Sequence, residues 1–189
     1  MTDQRSAGQR RGYGPLVFVD VETTGLDPQT HEVIAVAAIR VNGETWQVED
    51  TLLVLVEPER LIDADPAALD IAGYDPARWD RRAVSRQEAA QMVGQITAGA
   101  GLCSHKLRFD ESFLLRLIAP HTPPWTHRGV CTMSLASGLV RAGRSRSIGL
   151  RACADALGLE LDHHNPLSDA RASLEIARVC LDALTLGLG

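Results

Sequence analysis

Leu16-Val17-Phe18-Val19-Asp20-Val21-Glu22-Thr23-Thr24-Gly25 is the stretch from which the rest of the chain can be read. Its first half, LVFVD, is a short apolar run of the kind a buried central strand shows. Strand side chains alternate in direction, so Asp20 and Glu22 point to the same side. Two more apolar runs follow at Val33–Val41 and Thr51–Val56, with the turn-forming pair Asn42-Gly43 between them. Three successive strands with short connections predict an antiparallel meander. Further along, helical spacing takes over. Pro66–Ala72 reads as a short helix. Ser85–Ala98 reads as a helix opened by a capping box, Ser85 with Glu88. Asp110–Ala119 carries Phe113, Leu114, Leu117 and Ile118 on one face and stops at Pro120. Thr132–Ala142, Ser147–Leu157 (with Gly158 as its C-terminal cap) and Asp169–Leu184 complete the helices. Gly101–Ser104 and Val130–Cys131 read as short strands. The order predicts one α/β domain over residues 15–189, a mixed five-stranded sheet with helices on both faces. Residues 1–14, polar and rich in Arg and Gly, are expected to form a disordered N-terminal tail.

Composition narrows the function classes. The chain has 189 residues, 45% hydrophobic and 23% charged, enough for a core that needs neither disulfides nor a structural metal. It has no apolar run long enough to cross a membrane, and its N-terminus lacks the apolar segment of a secretory leader. Cys103, Cys131, Cys153 and Cys180 are far apart in sequence and form no C-x-x-C pair, so free thiols in a reducing, cytoplasmic setting are expected. The net charge of −5 argues against a protein that coats duplex DNA electrostatically. Lys106 is the single lysine among 19 basic residues.

Three acidic segments carry the chemistry. Asp20-Val21-Glu22-Thr23-Thr24-Gly25 sets a carboxylate pair before two hydroxyls and a glycine. Ser104-His105-Lys106-Leu107-Arg108-Phe109-Asp110 places a carboxylate where a loop meets a helix. His163-His164-Asn165-Pro166-Leu167-Ser168-Asp169-Ala170 places histidines before a carboxylate that opens the last helix. Alone, each admits a bland reading: a solvated strand end, a helix-dipole carboxylate, a capping loop. Together they supply four carboxylates and a histidine from three parts of the chain. That inventory suits two divalent ions, a water nucleophile and a general base acting on a phosphodiester.

These segments resemble the motifs of the DEDDh family of 3′–5′ exonucleases, the DnaQ-like superfamily with a ribonuclease H-like fold. DVETTG matches throughout. His105, Phe109, Asp110 and Phe113 match the family's H-N-x-x-F-D and the apolar helix after it, with Lys106 in place of Asn. His164, Asp169 and Ala170 match H-x-A-x-x-D-A, with Pro166 in place of Ala. The likeness runs from about Leu16 to Leu184; Ala67–Trp79 departs from the usual proofreading sequence.

The resemblance implies that Asp20, Glu22, Asp110 and Asp169 bind two Mg²⁺ or Mn²⁺ ions. It implies that His164 is the general base, since His164 and not His163 lies five residues before Asp169. A sister group uses tyrosine four residues before that Asp, where this chain has Asn165. Thr24, Gly25 and Leu26 would contact the terminal nucleotide, Leu26 as an apolar wedge beside the last base. His105, Lys106 and Phe109 would join the substrate site. Phe109 reads equally as core, and Lys106 equally as a phosphate contact or a surface cation. Arg141, Arg144, Arg146 and Arg151 read as a solvated cluster or as a patch that tracks a strand. The implied activity is a metal-dependent 3′–5′ exonuclease on single-stranded or frayed DNA, releasing 5′-monophosphates. The alternatives are an exoribonuclease that trims RNA and a non-catalytic nucleic-acid-binding module. The expected partners are single-stranded DNA or RNA 3′ ends, with no membrane and no polymerase-binding segment evident. A homodimer is compatible with the resemblance.

Overall fold

The computed structural model describes residues 13–162 and 164–186. The expected tail lies outside the described residues over 1–12, and so does His163; Tyr13 and Gly14 are exposed and without regular structure.

Among the described residues the sheet has four strands, β1 (Leu16–Thr23), β2 (Val33–Val41), β3 (Val48–Leu55) and β4 (Gly101–Cys103), in the order β3-β2-β1-β4. β1, β2 and β3 form the expected antiparallel meander, and β4 lies parallel to β1. The sheet is mixed, as predicted, but the expected fifth strand at Val130–Cys131 does not form. The chain there makes only isolated bridges, Ser104 with Cys131 and Gly101 with Thr126. β4 has only three residues, which leaves a fifth strand almost no ladder to extend.

The helices are α1 (Pro66–Ile71), α2 (Pro76–Arg82), α3 (Arg86–Thr97), α4 (Leu107–Ile118), α5 (Thr132–Arg141), α6 (Leu150–Leu157) and α7 (Pro166–Leu186). Two begin three residues before their predicted starts. α4 opens after Lys106, which places Asp110 in its first turn. α7 opens at Pro166, a first-turn position where the missing N–H costs nothing. α6 starts later than predicted because Gly149 is its N-cap and residues 142–149 form a loop. α2 lacks a clear sequence signal beyond Asp75-Pro76, whose Asp75 side chain accepts from the Ala77 N–H. Ser85 caps α3 through the Glu88 N–H, and Gly158 ends α6 in the left-handed region, both as expected.

The 42–47 connection is longer than a two-residue turn. Asn42 bonds the backbone of Trp46 and Gln47, and its Oδ1 accepts from Glu44 and Thr45. Gly43 serves close approach instead: a Cβ there would collide with the Tyr13 and Gly14 carbonyls.

The alternation along β1 sorts the layers. Val17, Val19 and Val21 pack with Ala89, Val93 and Ile96 of α3 and with Phe113, Leu114 and Leu117 of α4. Leu16 and Phe18 pack on the other face with Ala170, Leu174, Ala177 and Leu181 of α7. α5 and α6 lean on α7 through Leu139, Cys153 and Ile176. Helices thus cover both faces, and Asp20 and Glu22 continue the α7 side of β1. Among the described residues no helix is long and apolar enough to cross a membrane.

Candidate functional site

β1 outruns its neighbour. Only Leu16–Phe18 pairs with β4, which ends at Cys103, and the chain then turns at Ser104 into α4. Beyond that point the exposed edge of β1 is met by a side chain. Asp110 Oδ1 accepts from the Val21 N–H at 3.1 Å, and Oδ2 accepts from Ser104 Oγ at 2.7 Å. Asp110 is therefore built into the edge of the strand between Asp20 and Glu22, with 4% of its surface exposed. Asp169 comes from the first turn of α7, next to the fully buried Ala170, and is itself buried. Its Oδ2 accepts from the His164 N–H at 3.3 Å. His164 sits at φ 67°, left-handed backbone that non-glycine residues seldom adopt.

The four carboxylates feel one another. Burial, then the charges of Asp110, Asp169 and Glu22, holds the Asp20 carboxyl well above its usual range. Burial, then Asp169 and Asp110, pushes Glu22 from 4.5 to about 8. Burial raises Asp110 to about 6, against the pull of its bonds from Ser104 and Val21. A divalent cation beside the group would reverse this push, because its field favours the ionised forms. Among the described residues, no three His, Cys, Asp or Glu side chains make a ready-made ion cage. The donor set nevertheless fits hard divalent ions. Mg²⁺ keeps several waters and takes one or two carboxylates together with substrate phosphates, so it needs an open acidic cleft rather than a cage.

That cleft has a volume of about 580 Å³. Asp20, Glu22, Asp110, Asp169 and His164 all line it, as do Leu26, His105, Lys106 and Phe109. Leu26 is 79% exposed. Phe109 divides its ring between the cleft and Phe113, the centroids 4.9 Å apart. Two predicted contact residues sit behind the wall instead. Thr24 is buried, and its Oγ1 accepts from the Glu32 N–H at 2.9 Å. Gly25 is buried against His31, whose ring occupies the space a Cβ would need. Both shape the loop that presents Leu26, and the neighbouring Thr23 lines the cleft in their stead.

His105 is a buried strut. Its Nε2 donates to the Ile148 carbonyl at 2.9 Å, and its Nδ1 lies 3.0 Å from Thr132 Oγ1. A carbonyl only accepts, and burial lowers the pKa of this imidazole. The neutral ring therefore carries its proton on Nε2 and accepts from Thr132. The strut ties the start of α4 to α5 and to the 142–149 loop.

Sequence reasoning missed other lining residues. Ala68 and Ile71 come from α1, whose first N–H is anchored by Asp65, itself bonded from N to the Thr24 carbonyl. Met133, Leu150 and Ala152 come from α5 and α6. Of the four arginines in the 141–151 cluster, Arg146 and Arg151 line the cleft and Arg141 and Arg144 do not. Only chain folding separates the two pairs.

Residues 17–177 match the RNase_T family of exonucleases. A PolC-type DNA polymerase III of Thermotoga maritima is 28% identical over 87% of this chain and 12% of its own length. A ribonuclease T of Photorhabdus laumondii is 31% identical over 61% of this chain and 60% of its own length. The chain thus spans less than two thirds of these curated relatives. Escherichia coli exonuclease I, solved in complex with a dT13 oligonucleotide, superposes with a TM-score of 0.76 at 19% identity, over 88% of this chain and 40% of its own. Exonuclease I of Methylocaldum szegediense superposes at 0.75 with 21% identity, over 89% of this chain and 40% of its own. The fold is therefore the ribonuclease H-like one expected from the motifs.

Proposed function

Since the chain belongs to the RNase_T exonuclease family, we propose that its cleft removes nucleotides one at a time from the 3′ end of single-stranded DNA, releasing 5′-monophosphates. The observation that carries this reading is the meeting of Asp20, Glu22, Asp110 and Asp169 with His164 in one open cleft. Three separate segments are needed to build it.

The four carboxylates would hold two divalent ions, Mg²⁺ or Mn²⁺. Such ions, when bound, neutralise phosphate charge and make a bound water acidic. A ring nitrogen of His164 takes the proton from the attacking water. The backbone bond from His164 to Asp169 keeps this base beside the acidic floor. Asp110 has a second task, since its bonds to Val21 and Ser104 hold the end of β1 and the start of α4 in register. Leu26 packs against the terminal base, an apolar contact that every base tolerates. Phe109, supported by Phe113, offers a further ring face to the strand.

Cleavage of RNA by the same cleft is the second reading, favoured by the ribonuclease T relatives. Matched 5′-labelled DNA and RNA oligonucleotides separate the two. Each is incubated with the protein in Mg²⁺, in Mn²⁺ and in EDTA, with Asp110→Asn as control. A metal-dependent ladder shortening from the 3′ end is expected, faster on DNA. A faster RNA ladder transfers the assignment to an exoribonuclease. No ladder on either, from folded protein, overturns the enzymatic reading and leaves a binding module.

A further inference from the structure

Lys106 and the arginine cluster have no part in the chemistry above, yet three of these cations reach the cleft. Lys106 is exposed at the N-cap of α4, four residues before Asp110, and its side chain makes no capping bond. Arg146 sits on the 142–149 loop and Arg151 on the first turn of α6. Both are exposed, and among the described residues Arg146 has a loose ion-pair partner, Asp155 at 3.9 Å. The His105 strut joins the two sources. Its own backbone precedes Lys106, and its Nε2 bond at Ile148 holds the loop between Arg146 and Arg151. The backbone segments that carry the cations are therefore tied to one another and to the helix of Asp110.

Part of the apolar lining comes from elsewhere. Leu26 follows the first motif, and Ala68 and Ile71 stand on α1, which is tied to that motif through Asp65 and Thr24. Leu26 and Ile71 are exposed, so they are available to a base. Phe109, Leu150 and Ala152 come with Lys106 and Arg151 from the α4 and α6 segments, whereas Leu26, Ala68 and Ile71 give the cleft an apolar lining of separate origin.

Resting on the functional reading above, we propose that Lys106, Arg146 and Arg151 form a phosphate grip for the strand upstream of the scissile bond, positioned by His105. The ligand class is a single nucleic acid strand held by its backbone, with bases turned toward Leu26 and Ile71. Recognition is indifferent to sequence, because phosphate contacts carry no base information. Each contact adds salt dependence, with a slope of roughly 0.7 in log affinity against log salt per phosphate on single strands.

The test uses the full chain and a fluorescent oligothymidylate, with anisotropy measured in EDTA over a salt series and cleavage kinetics measured in Mg²⁺. The variants are Arg146→Ala/Arg151→Ala and Arg141→Ala/Arg144→Ala. The second pair removes the same charge from the same cluster but outside the cleft. For the first pair the salt slope is expected to fall by about 1.4, two contacts at roughly 0.7 each. KM is expected to rise about tenfold with kcat changed less than twofold, as loss of uniform binding requires. The second pair should match the wild type in slope and KM. His105→Gln should reproduce part of the KM effect while Lys106, Arg146 and Arg151 all remain. Equal effects from the two arginine pairs would reduce the grip to general charge and overturn the proposal. So would an unchanged slope and KM in the first pair, while wild-type cleavage intact would leave the exonuclease reading standing. A wild type that neither binds nor cuts the strand overturns both.

Discussion

Glu22→Gln removes one of four mutually repelling carboxylates and keeps the side chain's volume. Below about pH 4.5 the Glu22 carboxyl is protonated in both the folded and the unfolded chain, and it costs folding nothing. As pH rises from 4.5 the unfolded chain ionises while the fold retains the proton, and the penalty is complete once pH passes about 8. At about 1.36 kcal/mol per pKa unit, the full shift corresponds to roughly 5 kcal/mol lost across that window. Part of it comes from Asp169 and Asp110, which share protons with Glu22, so the gain from Glu22→Gln at pH 8.5 is about 2–3 kcal/mol. The assay is urea denaturation in EDTA at pH 5.5 and 8.5. With an m-value of about 2 kcal/mol/M, the wild-type midpoint should fall between the two pH values by about 1 M more than that of Glu22→Gln. Adding Mg²⁺ at pH 8.5 should restore much of the loss in the wild type and little in the variant, because an ion that binds only the fold stabilises it. Identical pH dependence in the two proteins would refute the argument that burial and crowding strain this cluster. A wild type that ignores Mg²⁺ would refute the assignment of its relief to a cation.

Asp110→Asn should keep the fold, since Oδ1 can still accept from Val21 and the amide can donate to Ser104 Oγ; cleavage should fall by about 10³-fold or more, read as loss of the product ladder. Asp110→Ala should also lose about 1–3 kcal/mol in urea denaturation, because it leaves the Val21 N–H unsatisfied. Gly25→Ala should cost about 1–3 kcal/mol by overpacking against His31, measured in the same way. Trp79→Phe breaks the buried bond from Nε1 to the Ile34 carbonyl, 3.0 Å long, and should lower stability by about 1–3 kcal/mol.

Much of this protein was legible along the chain. Val33–Val41 is the predicted strand to the residue, because its run of buried apolar residues has no competing period. Ser85 and Gly158 marked helix ends through local bonding and backbone freedom, which need no tertiary partner. The candidate site was legible for a related reason. Asp20 and Glu22 share a side by strand geometry alone, and the two distant carboxylates fall in the first turns of helices whose apolar spacing is visible along the chain.

What the chain order could not decide depends on elements meeting across long separations. β4 stops after three residues, so Val130–Cys131 finds no ladder and makes a single isolated bridge, Cys131 with Ser104. Thr24 and Gly25 look like contact residues beside Leu26, yet Glu32 and His31 claim them from across the loop. His105 matches a substrate position and serves as a strut, because Thr132 and Ile148 take both of its nitrogens. Arg141 and Arg146 are equivalent as letters, and only the turn out of α5 places one outside the cleft and the other in it. Sequence by itself determined the periodicities, the caps and the inventory of carboxylates, which are local properties of the backbone and its side chains. The tertiary structure decided which polar groups were already spent on the protein and which were left to face the cleft, because hydrogen-bond partners and burial arise only when distant segments pack.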